Sequence, residues 1–268
     1  MPTRLIYRHR LATRLWHWLN AVAITVLLMS GLMIFNAHPR LYWGQAGSNP
    51  DPAWLEIRAD AQGGYLKLGD RRWNTDGVLG RWTAPDGAVR TNAFPHWATI
   101  PSGYDLALAR RWHLFWALLL GFGLLAFLIA SLVNRHVLND LRIRPADVTP
   151  RRLWHDIREH LRLRFHDPDD PAAYNVLQKL SYVAVIFVLI PLVIFTGLAM
   201  SPGMNAAWGW LVELFGGRQS ARSIHFLTAG ALVLFVVVHL TLVLLSGPLN
   251  GLRGMITGWL RVPAKEEP

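Results

Sequence analysis

The stretch SIHFLTAGALVLFVVVHL, residues 223–240, decides the fold. It contains no Asp, Glu, Lys or Arg, and the charge-free window runs on from Ser223 to Leu252. A helix needs about 20 mostly apolar residues to cross the hydrocarbon core of a bilayer. The stretch nevertheless holds two histidines, His225 and His239. Ionisable side chains inside a membrane span are rare and mark function by default. Fourteen residues separate them, which is roughly 21 Å along a helix and about 40° short of four full turns. Both imidazoles therefore project from one face, one near each end of the span.

Three more charge-free windows lie upstream, at Leu15–Pro39, Trp112–Asn134 and Leu180–Val212. Together they predict an all-α membrane protein built as a four-transmembrane-helix bundle. The reading divides the chain into a basic N-terminus with helix one (1–36), a long loop (37–110), helix two (111–134) and a polar segment (135–177). Helix three (178–200), a short loop (201–222), helix four (223–246) and a tail (247–268) complete it. Four buried helices of a soluble protein are the alternative, and four windows of spanning length in one chain argue against it. Composition agrees, because 16% of residues are charged against about 25% in soluble domains. The 13 Trp suit membrane interfaces. The net charge of +10 lies between the apolar runs, which points to a bilayer surface, and no nucleic acid partner is expected. The chain has no Cys, which excludes disulfides, Cys-ligated zinc or iron–sulfur sites and covalent c-type haem attachment.

The basic N-terminus imitates a secretory signal, but its apolar run exceeds the usual h-region and no A-x-A site follows, so it reads as an uncleaved helix. Arg4, Arg8, Arg10 and Arg14 precede helix one, nine Lys/Arg lie in 135–179, and Arg253, Arg261 and Lys265 follow helix four. The positive-inside rule then puts both termini in the cytoplasm of a bacterial inner membrane, and the long loop in the periplasm. Residues 40–111 also carry nine Lys/Arg, but long loops translocate largely regardless of charge. Its recurring Gly, Pro and Asp predict short strands or irregular structure. It can serve as a cap on the bundle, as a docking surface for a partner, or as both. In 135–177, Leu153, Ile157 and Leu161 at helical spacing among Arg residues predict an amphipathic helix on the cytoplasmic leaflet.

Two further histidines sit at the edges of spans: His17 at the start of helix one and His113 at the start of helix two. Helix one enters from the cytoplasm, so His17 lies near the depth of His239. Helix two enters from the periplasm, so His113 lies near the depth of His225. Two His pairs on two levels result, and facing imidazoles can supply both axial ligands of a haem iron. Zinc wants four ligands in a tetrahedron, and each level offers two His with no nearby carboxylate or thiolate. The remaining seven His read as surface or interfacial groups. Arg14, Arg110, Arg111 and Arg222 lie within a few residues of the ligands; they could hold haem propionates or act as ordinary snorkelling anchors. Gly31, Gly121, Gly123, Gly197 and Gly230 allow close approach of a flat macrocycle or a helix. Pro191 should kink helix three, which has no His and is expected to shield without ligating.

Four stretches carry a family resemblance: RLWHWLNA (14–21), FPHWATIPSGYDLALARRWHLFWA (94–117), NVLQKLSYVAVIFVLIPLVIFTGLAMSP (175–202) and FGGRQSARSIHFLTAGALVLFVVVHL (215–240). With these the chain resembles the di-haem cytochrome b membrane subunits of bacterial respiratory enzymes: formate dehydrogenase, nickel–iron hydrogenase and thiosulfate reductase. The resemblance implies two haems b, an inner one on His17 and His239 and an outer one on His113 and His225. It also implies quinone as substrate beside one haem and a periplasmic oxidoreductase as partner, a molybdenum enzyme in the thiosulfate-reductase-like branch. The expected function is electron transfer between the quinone pool and that partner. Two rivals remain: a stand-alone haem b oxidoreductase acting on a small molecule such as superoxide, and a haem-free metal-ion transporter.

Overall fold

The computed structural model describes residues 3–135, 142–144, 148–161 and 176–263. His136, His166 and much of the polar segment 135–177 lie outside the described residues. Four helices are long and apolar enough to cross a membrane: α1 (Leu11–Phe35), α2 (Leu106–Val133), α4 (Val176–Met200) and α7 (Arg218–Leu245). Between them come α3 (Pro150–Leu161), α5 (Pro202–Ala207) and α6 (Gly209–Leu214), and α8 (Pro248–Thr257) follows α7.

The long helices begin a few residues before the charge-free windows. Local capping, rather than the loss of charge, sets these starts. The Asp105 carboxylate accepts the Leu108 N–H at 2.9 Å and caps α2. The Gly44 carbonyl accepts the Gln219 and Ser220 N–H groups in the first turn of α7. Asp156 on α3 accepts the Val176 N–H that opens α4. Inside α4 the turn Val185–Leu189 is π-helical, immediately before Pro191. Proline has no N–H and crowds the carbonyl four residues back, and a widened turn absorbs both problems.

The chain forms two compact units. One comprises the described residues of 1–20, 122–191 and 231–268. Here β1 (Thr3–Tyr7) pairs antiparallel with β8 (Trp259–Pro263), Leu5 opposite Arg261. The two ends of the described chain thus meet. Gly258, at φ +89°, stops α8; a Cβ there would lie 2.6 Å from the Tyr7 ring. Trp18 Nε1 donates to the Met255 carbonyl at 3.1 Å and holds α8 to α1. Gly123 faces Trp16 and Leu19, and a Cβ would lie 2.7 Å from the Leu19 side chain, so α1 and α2 touch through glycine as membrane helices often do. Trp16 stacks on Phe127 beside that contact, with centroids 5.5 Å apart.

The other unit comprises residues 21–121 and 192–230 and contains the long loop as a folded cap. A meander of β2 (Arg40–Leu41), β3 (Leu55–Asp60), β4 (Gly63–Leu68) and β5 (Arg71–Asn74) runs antiparallel in that order. A second ribbon pairs β6 (Trp82–Thr83) with β7 (Val89–Arg90). Phe35, Leu41, Leu55, Ile57 and Ala93 form the core of the cap, and Phe94 and Phe226 pack on it. Glu56 is buried in β3. A buried carboxylate needs partners, and it has them: Arg40 Nε at 3.0 Å and the Tyr65 hydroxyl at 2.6 Å. Burial and that carboxylate push the Tyr65 hydroxyl up to about 12. Trp54 Nε1 donates to Ser223 Oγ at 2.9 Å, and Ser223 donates to the Tyr42 carbonyl at 2.6 Å, which ties the cap to α7.

Candidate functional site

The four span histidines meet as two pairs, each inside one unit. In the unit that holds both ends of the described chain, His17 on α1 faces His239 on α7; their ring centroids are 6.3 Å apart at 63°. In the unit that holds the cap, His113 on α2 faces His225 on α7, at 6.2 Å and 57°. Two imidazole–metal bonds of about 2.0–2.1 Å each, plus two ring radii, span a distance of roughly this size. Among the described residues, no group of three or more His, Asp or Glu side chains is placed to hold a bare metal ion. The donor set is therefore two imidazoles per site, which suits a metal whose other positions a macrocycle fills.

The His113–His225 pair is held by hydroxyls. Ser30 Oγ lies 3.0 Å from His113 Nδ1, and Thr196 Oγ1 lies 3.0 Å from His225 Nδ1. Both hydroxyls are sealed from solvent, at 0% exposure. The next residue on each helix is a glycine packed on the same ring. A Cβ on Gly31 would lie 3.3 Å from His113 Cε1, and one on Gly197 would lie 3.4 Å from His225 Cε1. Helix three, which the sequence assigns a shielding part, thus touches His225 directly through Thr196 and Gly197.

The His17–His239 pair has rings for neighbours. Trp18 meets His17 edge-on at 5.1 Å. Phe235, one turn before His239 on α7, stacks on it at 5.7 Å and 13°. His17 Nδ1 is buried with no hydrogen-bond partner among the described residues. The haem expected from the sequence fits both pairs: ring spacing admits one metal atom, and among the described residues neither pair offers a competing carboxylate.

The arginines differ. Arg14 Nη1 donates to the Ile256 carbonyl at 2.5 Å, while its Nε is buried and unpaired among the described residues. Arg222 Nη2 donates to the His38 carbonyl at 2.5 Å, and its guanidinium sits 5.6 Å over the Phe35 ring. Arg110 and Arg111 are exposed in the first turns of α2. Of the remaining glycines, Gly121 and Gly230 face open space. Sequence reasoning missed Ser30 and Thr196. Their signal is a repeated hydroxyl–Gly–Leu triplet, Ser30–Leu32 and Thr196–Leu198.

Comparison with known proteins adds the family. The family described as prokaryotic cytochrome b561 matches residues 8–258. A relative named "Putative protein-methionine-sulfoxide reductase subunit YedZ1" from Azospira oryzae is 26% identical over 237 residues, covering 87% of each chain. A "Probable Ni/Fe-hydrogenase B-type cytochrome subunit" from Azotobacter vinelandii is 26% identical over 246 residues, 88% of this chain and 79% of that one. The protein of the same name from Cupriavidus necator is 24% identical over 243 residues, 87% of this chain and 76% of that one. No solved structure matches. The pattern that begins at residues 223–240 thus ends in a definite assignment: this chain belongs to the prokaryotic cytochrome b561 family of membrane haem b proteins.

Proposed function

We propose that the chain is a di-haem b electron-transfer subunit that connects quinone to a partner oxidoreductase. His17 and His239 would hold the inner haem, and His113 and His225 the outer one. The observation that carries the reading is the pairing of all four span histidines in two facing sets, with α7 contributing one ring to each. Haem would supply a one-electron couple at each site, and the coordinating imidazoles, the hydrogen bonds made to them and burial would tune it. The chain's own task is to fix the four imidazoles and exclude competing ligands. Arg14, Arg111 and Arg222 are the candidates for propionates; Arg14, whose buried Nε has no partner among the described residues, is the best placed.

The relatives' names support a catalytic partner. They call those proteins subunits of a reductase and of hydrogenases, so a catalytic partner is proposed here too. The partner docks on the cap, on the periplasmic face of the inner membrane. Both termini then lie in the cytoplasm, on the side of the inner haem, where quinone exchanges electrons. The molybdenum class of partner rests on the sequence resemblance alone.

The test is a reduced-minus-oxidised visible spectrum of the purified chain with pyridine haemochromogen quantification. The expected result is two haems b per chain, falling to one in His17→Ala and in His225→Ala. A folded, well-expressed chain without a haem band would overturn the reading and favour metal-ion transport.

A further inference from the structure

The hydroxyls beside His113 and His225 can each do only one thing. A hydroxyl has a single proton. Ser30 Oγ lies 2.7 Å from the Val26 carbonyl and 3.3 Å from that of Leu27. Thr196 Oγ1 lies 2.7 Å from the Leu192 carbonyl and 3.2 Å from that of Val193. A carbonyl cannot donate, so each hydroxyl proton goes to its own helix backbone. Toward the histidine, each oxygen is then an acceptor. The Nδ1 that faces it at 3.0 Å must be the protonated nitrogen. That leaves Nε2 of both rings as the nitrogen with a free lone pair. The same geometry occurs twice, on different helices and for different histidines, with the oxygen-to-carbonyl distances agreeing within 0.1 Å.

The glycines complete the arrangement. Gly31 and Gly197 let the Nδ1–Cε1 edge of each ring come close to the helix, where a Cβ would press on Cε1. The oxygen sets the ring's rotation about its axis, and the missing Cβ sets its distance from the helix.

We propose that Ser30–Gly31 and Thr196–Gly197 are two copies of one seat. Each fixes the tautomer and rotation of its histidine and strengthens it as a ligand by accepting the Nδ1–H bond. They are positioning residues, and the proposal rests on the reading that His113 and His225 hold the outer haem. An accepted Nδ1–H bond raises the basicity of the imidazole, which favours ferric over ferrous iron. The inner pair has no hydroxyl seat among the described residues, and His17 Nδ1 goes without an acceptor there. The seats therefore lower the potential of the outer haem alone.

The test uses the full chain in Ser30→Ala, Ser30→Thr, Thr196→Val and Thr196→Ser forms. Haem per chain, potentiometric titration of both components and the g values of the low-spin ferric signals are read for each. The component lost in His113→Ala is the outer one. Ser30→Ala and Thr196→Val should each shift its oxidation–reduction equilibrium about tenfold toward the reduced form, equal to roughly 59 mV for a one-electron couple. Its ferric g values should move as well, while the inner component stays still. Ser30→Thr and Thr196→Ser should restore the wild-type values. Loss of the outer haem in Ser30→Ala, with recovery in Ser30→Thr, supports the same conclusion. An outer component that does not move, two components that move together, or a loss that Ser30→Thr does not restore would overturn the seat. A wild-type chain that lacks haem, or a His113→Ala chain that keeps both, would overturn the haem reading itself before any seat variant is made.

Discussion

The two histidine pairs share one spacing but differ in how they are held. Centroid separations of 6.2 and 6.3 Å and interplanar angles of 57° and 63° make them near copies. Around His113 and His225 the neighbours are buried hydroxyls and glycines. Around His17 and His239 they are the Trp18 and Phe235 rings. A hydroxyl fixes a ring by direction, because hydrogen bonds weaken steeply off axis. An aromatic face fixes it by area and tolerates sliding. One chain therefore builds a directed site and a packed site from the same pair of imidazoles. Ligand spacing is the common requirement, and the second layer is where the two can be given different properties.

The sharpest way to break the comparison is to remove one ring of α7 at a time. His225→Ala should abolish the outer haem and leave the inner one, and His239→Ala should do the reverse. Each would give one haem per chain in place of two by pyridine haemochromogen. Because one helix carries both residues, a variant that lost both haems would mean that the sites are not separable and that the pairing is wrong.

How much of this the sequence could carry follows from the type of signal. The four histidines were legible because helical spacing and entry side fix depth, and depth alone pairs them. Ser30 and Thr196 were not. A Ser or Thr in an apolar helix ordinarily bonds its own backbone one turn back, and both do so here. The second contact, to a histidine on another helix, depends on how two helices are rotated, and one sequence does not specify that. The cap was legible only as a region of turns. Its meander depends on Glu56, a charged residue that turns inward because Arg40 and Tyr65 satisfy it from neighbouring strands. Gly31 and Gly197 were legible as points of close approach, but their partner is a histidine ring. The strand pair Thr3–Tyr7 with Trp259–Pro263 joins the two ends of the described chain, and such long-range pairing leaves no local mark.

The packed site should answer to loss of area. Phe235→Leu keeps an apolar side chain but removes the face that stacks on His239. Aromatic pairs are worth about 0.5–1.5 kcal/mol beyond their burial, so the inner haem should bind up to about tenfold more weakly. The outer component should not change. Haem loss to an apo-globin acceptor, followed separately at each component, measures this; an equal effect on both would mean that the site is not held by its stack.

The directed site should answer to crowding. Gly31→Ala places a Cβ 3.3 Å from His113 Cε1, and Gly197→Ala places one 3.4 Å from His225 Cε1. Alanine in a helix interior is favoured over glycine by about 0.8–1.0 kcal/mol, which offsets a small steric cost. The thermal midpoint should hardly move, while the outer ferric signal broadens or shifts. The effect should be greater for Gly31→Ala, where the contact is tighter. A stability loss without any change at the outer component would assign these glycines to helix packing only.

The smallest expected effect is one of pH, and it lies on the cap's side. His38 Nε2 is 3.1 Å from the Tyr42 hydroxyl, which itself donates to the Ser48 carbonyl at 2.8 Å. Its oxygen therefore accepts the His38 Nε2–H. Burial, then the positive charges of Arg222 and Arg40, hold His38 below its usual value, against a lesser opposing pull from Glu56. A histidine whose value is lowered by folding takes up its proton more readily in the unfolded chain. Its contribution to stability is then complete above about pH 6.5 and is lost as the pH falls from there toward the lowered value. The same residue's carbonyl holds Arg222, three positions before His225 on α7. Mild acid should therefore loosen the outer pair before the inner one. Between pH 7 and pH 5 the melting of the outer haem should fall relative to the inner, and His38→Gln should flatten that difference. Exposure keeps the effect modest, since screening by water weakens partly exposed charges. A parallel decline of both components, unchanged in His38→Gln, would show that the cap does not distinguish the two sites.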